Sequence, residues 1–180
     1  MTTWIVTQNK DDQCRGTLTG PDFKVNCALG KNGSIAAKDK TEGDAKTPLG
    51  TYPFRRIYYR ADRIPKPSCF LPSTVIESDM GWCDDIDDPA YNLPVILPYK
   101  AGAESLYRDN NVYNIVVTIG HNDNPVTKGK GSAIFIHIAR DDFSYTMGCI
   151  ALKYKDLISF LEKLKEDDLV EIRAYHKGLD

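Results

Sequence analysis

Helical periodicity appears at one place in this chain, and that limits the fold more than any other feature. From Lys153 to about Glu166, Leu157, Ile158, Leu161 and Leu164 recur at helical spacing, with Asp156, Glu162, Lys163 and Lys165 making a polar face. Elsewhere the apolar residues come in short runs broken by Gly, Pro, Asn and Asp. Trp4-Ile5-Val6-Thr7, Gly16-Thr17-Leu18-Thr19 and the run from Phe23 to Leu29 read as strands, with Gly20-Pro21-Asp22 as a hairpin-type turn. A polar loop from Gly30 to Lys46 leads to Thr47-Pro48-Leu49-Gly50-Thr51-Tyr52, a turn entering a strand that Pro53 is expected to interrupt. The run from Tyr113 to Gly120 is rich in β-branched residues and reads as a central strand; Leu169 to Arg173 reads as the closing one. With one helix, the core must come from strands. One mainly β domain over residues 1–180 is expected, long enough to bury a real core.

Residues 61 to about 112 break this pattern. Pro65, Pro67, Pro72, Pro89, Pro94 and Pro98 stop both helices and sheet ladders, so a long irregular loop capping one face is expected. Within it, Met80-Gly81-Trp82-Cys83-Asp84-Asp85 and Ala90-Tyr91-Asn92-Leu93-Pro94 gather aromatic, acidic and amide side chains, a composition that often lines a site. Asp85, Asp87 and Asp88 read more simply as a solvated acidic turn.

Charge excludes one class of function. Lys and Arg total 23 against 25 Asp and Glu, a net charge of −2, which argues against a nucleic-acid partner. No apolar segment is long enough to span a bilayer. The first residues, MTTWIVTQNKDDQ, lack the basic and apolar regions of a secretory signal. A cytoplasmic location, another export route, or a leader outside this sequence would each account for that. The five cysteines are odd in number and show no CxxC spacing, so neither a disulfide framework nor a simple zinc knuckle is expected.

Chemistry concentrates between Gly131 and Leu152. Ser132-Ala133-Ile134-Phe135-Ile136 is an apolar run that delivers His137; the loop Arg140 to Tyr145 follows, and Thr146-Met147-Gly148-Cys149 opens a second apolar run. Two strand ends joined by a short loop bring an imidazole and a thiol together. The thiolate is the nucleophile and a free thiol is mostly protonated at neutral pH, so a cysteine of this kind needs a base. Gly148 leaves the backbone open, so that amide N–H groups there face a developing oxyanion. The alternative for Cys149 is a buried structural thiol, as Cys27 between Val25 and Leu29 is read. The pair of readings predicts different reactivity: Cys149 ionising well below an ordinary thiol, Cys27 inert. Cys83, in a polar loop setting, is a reserve candidate for a reactive thiol. Met147 reads as a hydrophobic filler behind the cysteine loop, and His176 as a solvated tail residue.

Three separated stretches, Thr47-Pro48-Leu49-Gly50-Thr51-Tyr52, Gly131-Ser132-Ala133-Ile134-Phe135-Ile136-His137 and Thr146-Met147-Gly148-Cys149-Ile150-Ala151-Leu152, together resemble the YkuD-type L,D-transpeptidases. The resemblance covers most of the chain, and the order of the three motifs makes it specific. It departs from the common signature where Met147 replaces a His and Ala151 an Arg or Asn, and the interval after His137 is shorter. A proteobacterial subgroup with Thr-x-Gly-Cys is the closer match. The resemblance implies a sandwich- or barrel-like β catalytic fold and a cell-envelope or periplasmic enzyme acting on peptidoglycan stem peptides. It implies Cys149 as nucleophile, His137 as base and then acid with a backbone carbonyl on its second nitrogen, and the N–H groups of Gly148 and Cys149 as oxyanion donors. It requires no metal or cofactor, and a carbapenem is expected to form a covalent adduct at Cys149.

For substrate binding, Arg140 is placed to pair with a stem carboxylate, although a solvated loop arginine is an equal reading. Tyr145 and Thr146 are expected to line the cysteine's cleft. Trp82, Asp84, Tyr91 and Asn92 are expected on its far wall, with Asp84 facing an amine; His121 reads either as reaching in from an adjacent strand end or, more commonly for such a residue, as a structural loop histidine. Two rivals stand beside transpeptidation: an L,D-carboxypeptidase or endopeptidase that resolves the acyl-enzyme with water, and a peptidoglycan-binding module without turnover.

Overall fold

The computed structural model describes residues 1–175, so His176 lies outside the described residues. The chain opens as an antiparallel meander of β1 (Thr3–Gln8), β2 (Arg15–Gly20) and β3 (Phe23–Ala28). The loop that follows is not wholly irregular. It holds a short strand β4 (Ser34–Ala36) that runs parallel to the start of the long strand β5 (Thr47–Tyr59). Pro53 does not interrupt β5. It pairs opposite Leu169, and its carbonyl accepts the Gly120 N–H at 2.8 Å beside a bulge in the neighbouring strand.

After the cap come β10 (Ile115–Ile119), β11 (Phe135–Ile138), β12 (Ile150–Leu152), helix α1 (Tyr154–Lys163) and β13 (Leu169–Arg173). Strand pairing runs β10-β11-β12-β3-β2-β1-β13-β5, and β5 pairs again with β10, so these eight strands close a barrel-like ring. Closure removes the free edges that an open sheet would present. The thinnest seam is β12 against β3, paired only at Ala151 and Ala28.

Alternation along the strands divides the interior. Ile115, Val117 and Ile119 of β10, and Ile136 and Ile138 of β11, face the main core. There α1 buries Leu157, Phe160 and Leu161, and the Phe160 ring meets Trp4 edge-on at 4.8 Å. The helix stops at Lys163, short of the expected Glu166, where Leu164 turns extended and Asp167 takes a φ of +65°. Val116 and Phe135 face the other way, into a second cluster with Tyr58, Trp82, Leu106 and Tyr113. These strands are buried on both sides, which is why β10 shows no polar alternation in sequence.

The cap over that second face is more ordered than its prolines predict. It contains β6 (Ser73–Val75), which pairs parallel with β5, and a separate three-stranded antiparallel sheet. In that sheet β7 (Met80–Cys83) lies between β8 (Pro94–Ile96) and β9 (Ala103–Ser105). Pro94 opens an edge strand, where a missing N–H is tolerated. Trp82 of β7 stacks edge-on against Phe135 at 5.0 Å, locking the cap to the strand that bears His137.

Candidate active site

β11 and β12 run parallel, with Ile136 opposite Ile150 and His137 opposite Ala151. His137 therefore projects toward the cap side of β11, and Cys149 stands just ahead of β12 on the neighbouring strand. Both line one cleft of about 280 Å³. The His137 ring is oriented by Nδ1, which lies 2.9 Å from the Ile138 carbonyl oxygen and so carries the proton, leaving the Nε2 lone pair free. Tyr113 packs edge-on against the imidazole at 5.3 Å. Burial pulls the imidazole pKa down to about 4, helped by the positive charges of Arg108 and Arg140.

The thiol differs from the sequence expectation. Cys149 is only 8% exposed, its Sγ donates to the Ala133 carbonyl at 3.1 Å, and the Phe135 N–H points at it from 3.4 Å. Burial pushes its pKa up to about 12, and the nearby Glu104 carboxylate adds to that; the Phe135 N–H works in the opposite direction. So the cleft holds a neutral thiol and a neutral imidazole, not a preformed thiolate. Cys27, fully buried, is likewise pushed up to about 12.

The turn before Cys149 is built by Thr146. Its Oγ1 donates to the Cys149 carbonyl at 2.7 Å and accepts the Gly148 N–H at 3.1 Å. Gly148 has a φ of +129°, and a Cβ there would stand 2.9 Å from the Lys46 carbonyl oxygen, so only glycine fits. The Thr146 N–H bonds Leu29 and its carbonyl accepts from Lys31, docking the turn on the end of β3. Thr47, from the remote Thr-Pro-Leu-Gly stretch, accepts the Gly30 N–H at 2.9 Å on the same side. Met147 is 66% exposed at the cleft mouth and does not fill space behind the cysteine as the sequence suggested.

Trp82, Tyr91 and Asn92, expected on the cleft wall, stand behind it instead, and His121 takes the structural of its two expected roles beside them. Asn92 Oδ1 accepts both the Ala133 N–H and the Trp82 Nε1–H at 3.0 Å, and its Nδ2 donates to the His121 and Asn122 carbonyls. Tyr91 bonds the Glu42 carboxylate and accepts the Gly131 N–H. His121 places Nε2 2.9 Å from the Lys130 carbonyl and its ring edge-on to Tyr52. Trp82, Tyr91, Asn92 and His121 thus clamp residues 130–133, the chain that leads into β11; all four are mostly buried. Ala133, whose carbonyl holds the thiol, is kept at a φ of +52° by this clamp.

Asp84, Arg140 and Thr146 do line the cleft. Arg140 is exposed, with Nη1 donating to the Tyr145 carbonyl at 2.9 Å. Tyr145 is 40% exposed outside the cleft, with the Lys31 ammonium 5.3 Å from its ring centre. Cys83 lies buried in β7, away from the lining, and burial raises its pKa. Asp88 is buried rather than solvated, accepting from the Ala90 N–H and the Tyr99 hydroxyl and pairing with Lys100 at 3.2 Å. Sequence reasoning missed Lys40, Glu42, Glu104, Arg108 and Tyr113, all of which line the cleft. Lys40 and Glu42 come from a loop read as plain polar, and Glu104 and Arg108 from the cap. The one local signal was opposite charges spaced at Glu104 and Arg108 in an otherwise irregular stretch.

The YkuD family, described as the L,D-transpeptidase catalytic domain, matches residues 3–172. This chain belongs to that family. The YkuD match takes in the ring from β1 to β13 together with His137 and Cys149. Among solved structures the chain is similar to L,D-transpeptidase 1 of Mycobacterium tuberculosis, at 14% identity and a TM-score of 0.38, over 96% of this chain and 62% of that one. It is also similar to an L,D-transpeptidase from Mycobacterium smegmatis, at 13% identity and a TM-score of 0.41, over 95% of this chain and 58% of that one. The YkuD chain thus spans about three fifths of the length of these two proteins. No curated protein sequence matches it. Among the described residues no helix is long and apolar enough to cross a membrane.

Proposed function

We propose that this YkuD domain is a peptidoglycan L,D-transpeptidase of the cell envelope, with Cys149 as nucleophile and His137 as its base. The observation that carries the reading is the shared cleft: a thiol and an imidazole whose Nε2 is free, on neighbouring strands of a YkuD domain. Sγ attacks the amide carbonyl that joins an L-centre to a D-centre in a stem peptide, and its proton passes to His137 Nε2. The C–N bond then breaks, the departing amine takes that proton, and a thioester on Cys149 remains. An amine of a second stem attacks the thioester, giving its proton to His137, and the thiol is released with the proton returned. Since Gly148 already donates to Thr146, the Cys149 N–H is the better-placed oxyanion donor of the two amides. Arg140, Asp84 and Thr146 serve the stem as lining groups.

Incubating the purified protein with disaccharide-tetrapeptide monomers and resolving the products by mass tests this. Cross-linked dimers should form with the native protein and vanish with Cys149→Ala. Shortened monomers alone would make it a carboxypeptidase, and unaltered monomers that still bind would make it a binding module. A carbapenem is expected to add its mass to Cys149.

A further inference from the structure

The cleft holds a cation with unpartnered donors that neither the motifs nor the proposed mechanism uses. Arg108 enters from the cap. Its Nη2 donates to Glu104 at 2.5 Å, its Nε to the Ser105 carbonyl at 3.2 Å, and its guanidinium carbon sits 4.1 Å from the centre of the Tyr113 ring. Both donors on Nη1 are without a partner among the described residues. The other cleft cations are differently placed. Lys40 is buried and committed to Asp44 at 2.6 Å and to the Thr41 carbonyl, while Arg140 is an exposed side chain tied to its own loop. Arg108 alone combines a head fixed on three sides with two unpartnered N–H donors on Nη1, and a charged donor held in place suits a carboxylate oxygen. A guanidinium already immobilised loses little freedom when a ligand binds.

Its position selects which carboxylate. Tyr113 carries Arg108 on its face and meets the His137 imidazole at 5.3 Å, and its hydroxyl bonds Glu104 at 3.3 Å. Arg108 is therefore one aromatic ring away from the group that would hand a proton to the departing amine. In a stem peptide, that nitrogen is attached to the carbon that carries the α-carboxylate of the terminal D-residue. We propose that Arg108, held by Glu104 and Tyr113, is the specificity residue of this cleft and binds the α-carboxylate on the leaving side of the bond attacked by Cys149. This rests on the proposed transpeptidase reading. The charge of Arg108 also bears on both His137 and Cys149, consistent with a guanidinium close to the reacting groups. The same subsite would receive the acceptor, since the attacking amine enters where the first one leaves.

The test compares two donor stems, one ending in a free D-amino acid and one in its amide, with native protein, Arg108→Gln and the double variant Arg108→Gln/Glu104→Gln. The double variant removes the half-buried carboxylate that the single one would leave without its cation. Loss of a charged hydrogen bond should lower the acid-to-amide ratio of kcat/KM by about tenfold in both. An equal loss on the two donors, or a ratio that collapses only with Arg140→Gln, overturns the assignment. If native protein turns over neither donor, the transpeptidase reading has failed, and alkylation decides the carboxylate site by itself. The ratio of iodoacetate to iodoacetamide modification at Cys149, read by peptide mass, should fall by a similar factor on removing Arg108. An unchanged ratio there overturns the proposal.

Discussion

At His137 burial and two neighbouring arginines act in the same direction, against the charged form. The folded imidazole therefore titrates near about 4, while in the unfolded chain it titrates near about 6.5. Below about pH 6.5 the unfolded state binds a proton that the folded state refuses, so folded stability is complete above that pH and falls as pH drops toward about 4. Urea unfolding of native protein and His137→Gln across this window should show the native midpoint falling more steeply than the variant's. Parallel curves would mean that the imidazole is not held neutral. The acid limb of kcat/KM should lie near about 4 for the same reason. His137 and Cys149 were legible as a chemical pair from their local runs. The state of the thiol was not, because desolvation depends on Phe135, Ala133 and the cap above them.

Among the elements, the cap changed most between sequence and structure. Its prolines hid a three-stranded sheet, because single strands of three or four residues carry little periodicity and Pro94 can start an edge. Trp82 and Asn92 were read as cleft wall because aromatic and amide side chains in a loop often are. Instead they clamp the entry to β11 from behind, and only pairing between distant segments shows this. Replacing Asn92 with Ala leaves the Ala133 N–H and the Trp82 indole N–H without their acceptor. That should cost about 2–4 kcal/mol of stability. It should also speed iodoacetamide labelling of Cys149, whose thiol rests on the Ala133 carbonyl. Unchanged labelling in a folded variant would remove the clamp from any role at the site.

For the whole molecule, closure of the ring depends on how β13 meets β1. Asp168 accepts the Thr2 N–H at 2.7 Å, the Trp4 Nε1–H at 3.1 Å and the Lys165 N–H at 3.0 Å, so one buried carboxylate ties both ends of the described chain together. Burial acts to raise its pKa, but these hydrogen bonds outweigh that and hold it below the usual value. Asp168→Ala should therefore lower stability by about 2–3 kcal/mol, or roughly 4–12 °C in Tm. A thermal melt within a degree of native would show that closure does not need this knot. By itself the sequence determined the mainly β class, the single helix, the strands at both ends and the three family motifs. Each of these is written in local periodicity, turn chemistry or contiguous residue identity. Only the tertiary structure decided that the strands close on themselves, that Cys149 is a buried thiol, and that Glu104, Arg108 and Tyr113 share the cleft with His137. Those depend on contacts between segments far apart in the chain and on the loss of water around them, and no local stretch of sequence records either.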